Sequence, residues 1–175
     1  MRTRHLSLAQ VRESSVKING WIILFHPVFN DQWQQLLDLV KSLRSRLSQK
    51  DFVQHPQVKL FKAVTVSIEE KIPIDPLASY FALRKPLDKY SRLKKMGLPN
   101  RYRLFFKVFT QQKVIIILWL GFPRKEGDKK DCPKGRCTLV VYRFAYYRVF
   151  AKMVEKGQFP LSLKDLIDLD NGQES

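Results

Sequence analysis

The chain has 175 residues, 45% of them hydrophobic and 27% charged, which suits one globular domain with a sizeable core and excludes a disordered chain. Its 32 Lys and Arg stand against 16 Asp and Glu, a formal charge of +16. Such a surplus points to a polyanionic partner, whether nucleic acid, an acidic protein or an anionic membrane surface.

Residues 1–15 carry charges without an apolar centre, so they are read as a tail and not as a signal peptide. "VKINGWIILFHP" is rich in branched and aromatic residues and ends at a proline, which predicts a first strand over 18–25. Phe29, Trp33, Leu36, Leu37, Val40, Leu43 and Leu47 recur at three- and four-residue steps. That is the stripe of an amphipathic helix, with Asn30 or Asp31 as its cap. A second helix is expected over 56–71, opened by Pro56 and stopped by Pro73, with Val58, Phe61, Val64 and Ile68 as its stripe.

The three prolines of "IPIDPLASYFALRKPLDKY" mark an irregular connection. A short strand in "YSRLKKMGL" and a longer one in "RYRLFFKVF" follow, then "TQQK" as a hairpin turn. "VIIILWLGF" is apolar without alternation, the pattern of a strand buried on both faces. It is also far shorter than the roughly 20 residues of a membrane helix. The loop 123–138 holds six basic residues and the only cysteines, Cys132 and Cys137, read as free thiols or a redox-linked pair. Two cysteines without a nearby histidine supply half of a tetrahedral zinc site, so no metal is expected.

"TLVVY" reads as one more strand, and 143–157 as a helix with Phe144, Tyr147, Phe150, Met153 and Val154 on one face and Gly157 as its C-cap. Ser162 is placed to cap a short last helix. The whole predicts a single α+β domain over 16–170, an antiparallel sheet with two N-terminal helices on one face and a C-terminal helix, followed by a tail at 171–175.

Basic charge concentrates in mid-chain. From Arg84 to Lys107 there are nine Lys and Arg against the single acid Asp88. Strand alternation places Arg101, Arg103, Phe105, Lys107 and Phe109 on one face and Tyr102, Leu104, Phe106 and Val108 on the other. Guanidinium and ammonium groups beside rings suit a phosphodiester backbone, since arginine offers a planar fork and rings stack on bases. Lys94 and Lys95 lie one strand earlier, Arg124 and Lys125 follow the central strand, and Tyr147 and Arg148 sit on the later helix. A merely solvated sheet face would show the same alternation. His26 before Pro27 reads as a strand-to-helix corner, and neither His5 nor His55 has an evident partner. No Gly-rich phosphate loop, Ser-His-Asp arrangement or carboxylate pair is present.

"INGWIILFHPVFNDQW", "NRYRLFFKVFTQQKVIIILWLGF" and "YRVFAKMVEKGQFP" together resemble the YhaV-type toxins of bacterial type II toxin–antitoxin systems, within the RelE/ParE superfamily. The resemblance runs in order from about Val16 to Leu166. It implies a RelE-like fold and a cytoplasmic endoribonuclease that cuts mRNA, typically on the ribosome, without a cofactor or metal. An acidic antitoxin would silence it. The implied chemistry is attack by the RNA 2′-hydroxyl to give a 2′,3′-cyclic phosphate, which a dense cationic site favours. Carried over by position, Arg103 would hold the phosphate, Lys94 or Lys95 would act as base, Arg124 as acid or clamp, and Tyr147 would stack on a base. Arg101 is added from strand phase alone. Where the family carries a Lys-Thr-Asp-Ala-Tyr-like stretch, this chain reads "RFAYY": Arg143 keeps the charge, Tyr147 the aromatic, and Ala145 replaces the aspartate. A non-catalytic RNA-, ribosome- or DNA-binding protein is the rival expectation, and a gyrase poison a third.

Overall fold

The computed structural model of the chain describes residues 15–121, 139–163 and 165, and for 139–145 the backbone alone. The predicted first strand is a hairpin of two: β1 (Val16–Ile18) and β2 (Trp21–Phe25) pair antiparallel. Asn19 and Gly20 both take positive φ, 50° and 79°, the Asn-Gly signature of a tight turn that matches the strand twist. β2 then leaves at the His26–Pro27 corner. The cap of α1 (Pro27–Arg46) is His26, whose Nδ1 accepts from the Val28 N–H at 3.3 Å, and not Asn30 or Asp31 as expected. Proline at the first helical position needs no acceptor, so the helix starts earlier than its apolar stripe suggests.

His55 repeats the device. It caps α3 (Pro56–Val66), with Pro56 next and Nδ1 accepting from the Gln57 N–H at 3.2 Å. Between them lies α2 (Gln49–Gln54), capped by Ser48. Pro73 does not stop the helical path. A wide π turn over Ser67–Lys71 precedes it, and α4 (Ile72–Ile74) carries the proline in its first turn. A widened turn is where a ring lacking an N–H is accommodated.

β3 (Ser91–Leu93), β4 (Arg103–Phe109) and β5 (Val114–Gly121) complete a five-stranded sheet in the order β1-β2-β5-β4-β3. The sheet is mixed and not wholly antiparallel, because β2 and β5 run parallel. The helices after β2 form the long excursion that a parallel neighbour requires. β5 is the central strand, and all eight of its residues are buried. α5 (Leu139–Glu155) takes in 139–142, read above as a strand. Three branched apolar residues are a weak strand signal when a helical period continues on their C-terminal side. α5 ends in a Schellman motif: Gly157 has φ 66°, its N–H bonds Val154 O at 2.9 Å, and Gln158 N–H bonds Met153 O at 3.1 Å.

The sheet separates two cores. Phe29, Leu36, Val40, Leu60 and Val64 pack with Leu93, Leu104, Phe106, Ile115 and Ile117 on the α1/α3 face. Phe105, Ile116, Leu118 and Trp119 pack with Tyr146, Phe150 and Phe159 on the α5 face. Phe150 is fully buried and stacks on Phe105 at 4.1 Å between centroids. Burying a ring of this size contributes about 2–3 kcal/mol. The predicted phase of β4 is therefore right, but its cationic face is covered by α5 instead of lying open.

Candidate functional site

The end of the sheet where β4 begins and β5 finishes gathers the cations. Arg103 opens β4, opposite Gly121, the last residue of β5. A Cβ on Gly121 would stand 2.9 Å from the Trp119 ring and 3.2 Å from Phe105, so any other residue there would have to displace these rings beside Arg103. One Arg103 terminal nitrogen donates to Asn100 O at 2.8 Å and to Tyr102 O at 2.6 Å. Its guanidinium carbon lies 5.1 Å from the Tyr146 ring centroid.

A second arginine, which sequence reasoning did not single out, joins it. Arg92 on β3 is opposite Phe105, which sets it on the α5 face, and its guanidinium lies 5.7 Å from the Tyr147 ring. The two tyrosines are themselves 5.6 Å apart, edge to face, and Tyr147 also meets Phe105 at 5.9 Å. Two arginines therefore lie over two adjacent rings that α5 holds in place. Arg92 Nε, one Arg92 terminal nitrogen and Arg103 Nε are buried and have no hydrogen-bond partner among the described residues. Unmade donors of this kind each cost about 1–3 kcal/mol, a cost that an oxyanion entering the cluster would relieve. A signal for Arg92 was present, since it precedes Lys94 by two residues in "YSRLKK" and shares its strand phase.

Lys94 and Lys95 lie in the turn after β3 and not in a strand; both are exposed, and Lys95 has φ 60°. Because Leu93 pairs with Leu104, they leave β3 at the Arg103 end. Arg101 lies before β4, in the turn closed by Tyr102 N–H to Pro99 O at 2.9 Å, and is exposed. Arg148 is exposed on α5. Arg124 and Lys125, with the rest of residues 122–138 and both cysteines, lie outside the described residues, as do the side chains of Arg143 and Ala145.

Lys107 departs from expectation. It shares the phase of Arg103, yet it is only 6% exposed. Its ammonium donates to Pro160 O at 3.1 Å and Leu161 O at 2.8 Å, and lies 4.9 Å from the Tyr90 ring. Burial lowers its pKa, nearby Lys89 adds to that, and Asp165 opposes it. The segment after α5 covers this lysine, so it pins the chain and is not presented to a ligand. Asp165 in turn accepts from the Leu161 and Ser162 N–H groups and the Ser162 hydroxyl, while the Ser162 oxygen accepts from the Asp165 N–H. Ser162 thus makes the hydrogen bonds of a cap, while most of the short last helix predicted after it lies outside the described residues. Tyr90 is buried beside Lys107, and its hydroxyl has no partner among the described residues.

Among the described residues no group of three His, Cys, Asp or Glu is placed to hold a metal ion, and no helix is long and apolar enough to cross a membrane.

The chain is a basic α+β domain with a guanidinium pair set on tyrosines, and comparison with known proteins makes its class specific. The family model described as a toxin with endonuclease activity, of toxin-antitoxin system, matches residues 23–171. The chain belongs to this family, the YhaV toxins. It is 30% identical over 158 residues to the ribonuclease toxin YhaV of Escherichia coli strain K12, covering 86% of this chain and 92% of that protein. The same identity and coverage hold for the toxins YhaV of strains O6:H1 and O157:H7. No solved structure matches the chain.

Proposed function

We propose that this protein is an endoribonuclease toxin that cleaves mRNA in the cytoplasm by metal-independent transesterification, associates with the ribosome to do so, and is held in check by an acidic antitoxin. The observation that carries this reading is the Arg92–Arg103 pair over Tyr147 and Tyr146, with buried donors that have no partner among the described residues. The K12 relative is a ribonuclease toxin, which supports the choice of RNA.

In this mechanism the 2′-oxygen attacks the adjacent phosphorus and the bond to the 5′-oxygen breaks, leaving a 2′,3′-cyclic phosphate and a free 5′-hydroxyl. The proton on the 2′-hydroxyl passes to Lys94 or Lys95, and the departing 5′-oxygen takes one from an acid, for which Arg124 is the candidate. Arg103 and Arg92 bind the nonbridging oxygens as negative charge builds on them, where preorganised donors act most strongly. Tyr147 offers its ring to a neighbouring base. Arg101, Lys125, Arg143 and Arg148 hold flanking phosphates. Lys107, buried under the C-terminal segment, is given no contact with RNA.

A second reading, RNA binding without cleavage, draws on Ala145 in place of the family aspartate. One experiment separates the two. Purified protein is incubated with mRNA alone in EDTA, and in magnesium with and without ribosomes, and the products are examined for 2′,3′-cyclic phosphate ends. Ends formed in EDTA support the first reading, and ribosome association requires that ribosomes increase their yield. Salt-sensitive RNA binding without ends supports the second.

A further inference from the structure

Beside the β3 edge, on the side away from α5, Tyr80, Phe81, Lys94, Lys95 and Met96 line a shallow open pocket. Its aromatic wall is prebuilt. Tyr80 is 54% exposed, and its ring meets Phe81 edge to face at 4.5 Å. Phe81 is itself buried and set against Phe106 of β4 at 5.2 Å. An exposed ring standing on a buried one loses little freedom when a flat partner stacks on it.

The opposite wall is held in an unusual backbone. Lys95, Met96 and Gly97 have successive positive φ of 60°, 54° and 92°. Two of the three are side-chain-bearing residues that rarely adopt this conformation. Buried Leu98 anchors the turn, with its N–H on Lys95 O at 3.0 Å. Lys71 adds a third lysine: its ammonium lies so close over Gly97 that a Cβ there would stand 2.7 Å from it. An aromatic wall with two lysines lining the pocket and a third over the adjoining turn matches one ligand class well, a nucleobase with its phosphates.

We infer that this pocket is a subsite for an unpaired nucleotide of the RNA, flanking the nucleotide cleaved at Arg103. Tyr80 stacks on the base, Met96 closes the other side, and Lys71 and Lys95 hold the phosphates. Lys94, at the junction of the pocket and the Arg103 end of the sheet, joins subsite to cleavage site. The inference rests on the ribonuclease reading above, and it adds a residue, Tyr80, that neither family position nor strand phase assigns.

The test uses the full chain and a single-stranded RNA of about twelve nucleotides, 2′-O-methylated throughout so that it binds uncut. Tyr80→Ala is expected to weaken binding by about 5- to 100-fold, and Tyr80→Trp to restore it. In the unaltered protein, the same RNA carrying 5-iodouridine is expected to crosslink to Tyr80 under light. Wild-type binding by Tyr80→Ala, or crosslinks only elsewhere, overturns the subsite. If Arg103→Ala still abolishes cleavage in that case, the ribonuclease reading stands alone. If Tyr80→Ala impairs only the capture of an acidic protein partner, the pocket is a protein-docking site and the inference is wrong.

Discussion

The Arg103 guanidinium lies 5.1 Å from the Tyr146 ring centroid, so an α5 residue fixes where the first arginine of β4 points. Tyr146 is only 6% exposed. The ring is thus a support beneath the arginine, within the aromatic core built around Phe105 and Phe150. Two carbonyls, Asn100 and Tyr102, hold one nitrogen of the fork. The geometry of the site depends on how α5 packs on the sheet.

Tyr146→Phe should therefore preserve RNA cleavage, because the ring remains under Arg103. Tyr146→Ala should reduce it and also lower stability by about 3–5 kcal/mol, the cost of emptying an aromatic site. Urea titration and initial rates on the same preparations check both. A phenylalanine variant that folds normally but is inactive would show that the hydroxyl matters and the support does not.

Arg92→Met should lower the cleavage rate by about 10²–10³-fold, the usual effect of removing one preorganised donor from an oxyanion site. It should not lower stability much, since two Arg92 nitrogens are buried without partners among the described residues. Arg92→Lys should recover little, because an ammonium does not reproduce the fork or its stacking on Tyr147. Rates measured beside thermal unfolding decide the matter.

Lys107→Met should leave RNA affinity unchanged and destabilise the fold by about 1–3 kcal/mol, because the Pro160 and Leu161 carbonyls lose their charged donor. Limited proteolysis should cut near residues 158–163 sooner in this variant. Weakened RNA binding at unchanged stability would return Lys107 to the substrate site.

His26 predicts a pH effect on stability. Burial pushes its pKa from 6.5 down to about 4, against the opposing hydrogen bond with the Gln158 backbone. The folded state then binds fewer protons than the unfolded chain between those values, so this contribution is complete above pH 6.5 and lost as pH falls through 4. The shift corresponds to about 3 kcal/mol at most. His26→Asn keeps a capping oxygen without a titrating ring. Between pH 6.5 and 4 its urea midpoint should fall less steeply than that of the unaltered protein; parallel slopes would refute this.

The sequence showed the elements that repeat a period or lack one: the α1 stripe, the unbroken β5 and the alternation of β4. It did not show the β1–β2 turn as such, although Asn19-Gly20 is its signature, because the apolar run on either side reads as continuous. The parallel β2–β5 pairing depends on where the chain returns after four helices, which no local pattern encodes. Of the site, Arg103 was legible from phase and resemblance. Phase also placed Lys107 there, but phase gives a face of the sheet and not what covers it, and α5 with its following segment covers the Lys107 end. Arg92 stands in phase with Lys94 in the sequence, but its place beside Tyr147 emerges only once β3 is set against β4, where its partner is Phe105.

The most direct test of the ribonuclease reading is a count of 2′,3′-cyclic phosphate ends in mRNA incubated with the purified protein or with Arg103→Ala, free in EDTA and on ribosomes in magnesium. Ends should accumulate with the unaltered protein and fall at least about 100-fold with the variant, while the variant remains folded at the assay temperature. No ends from the unaltered protein, or equal numbers from both, would contradict that reading.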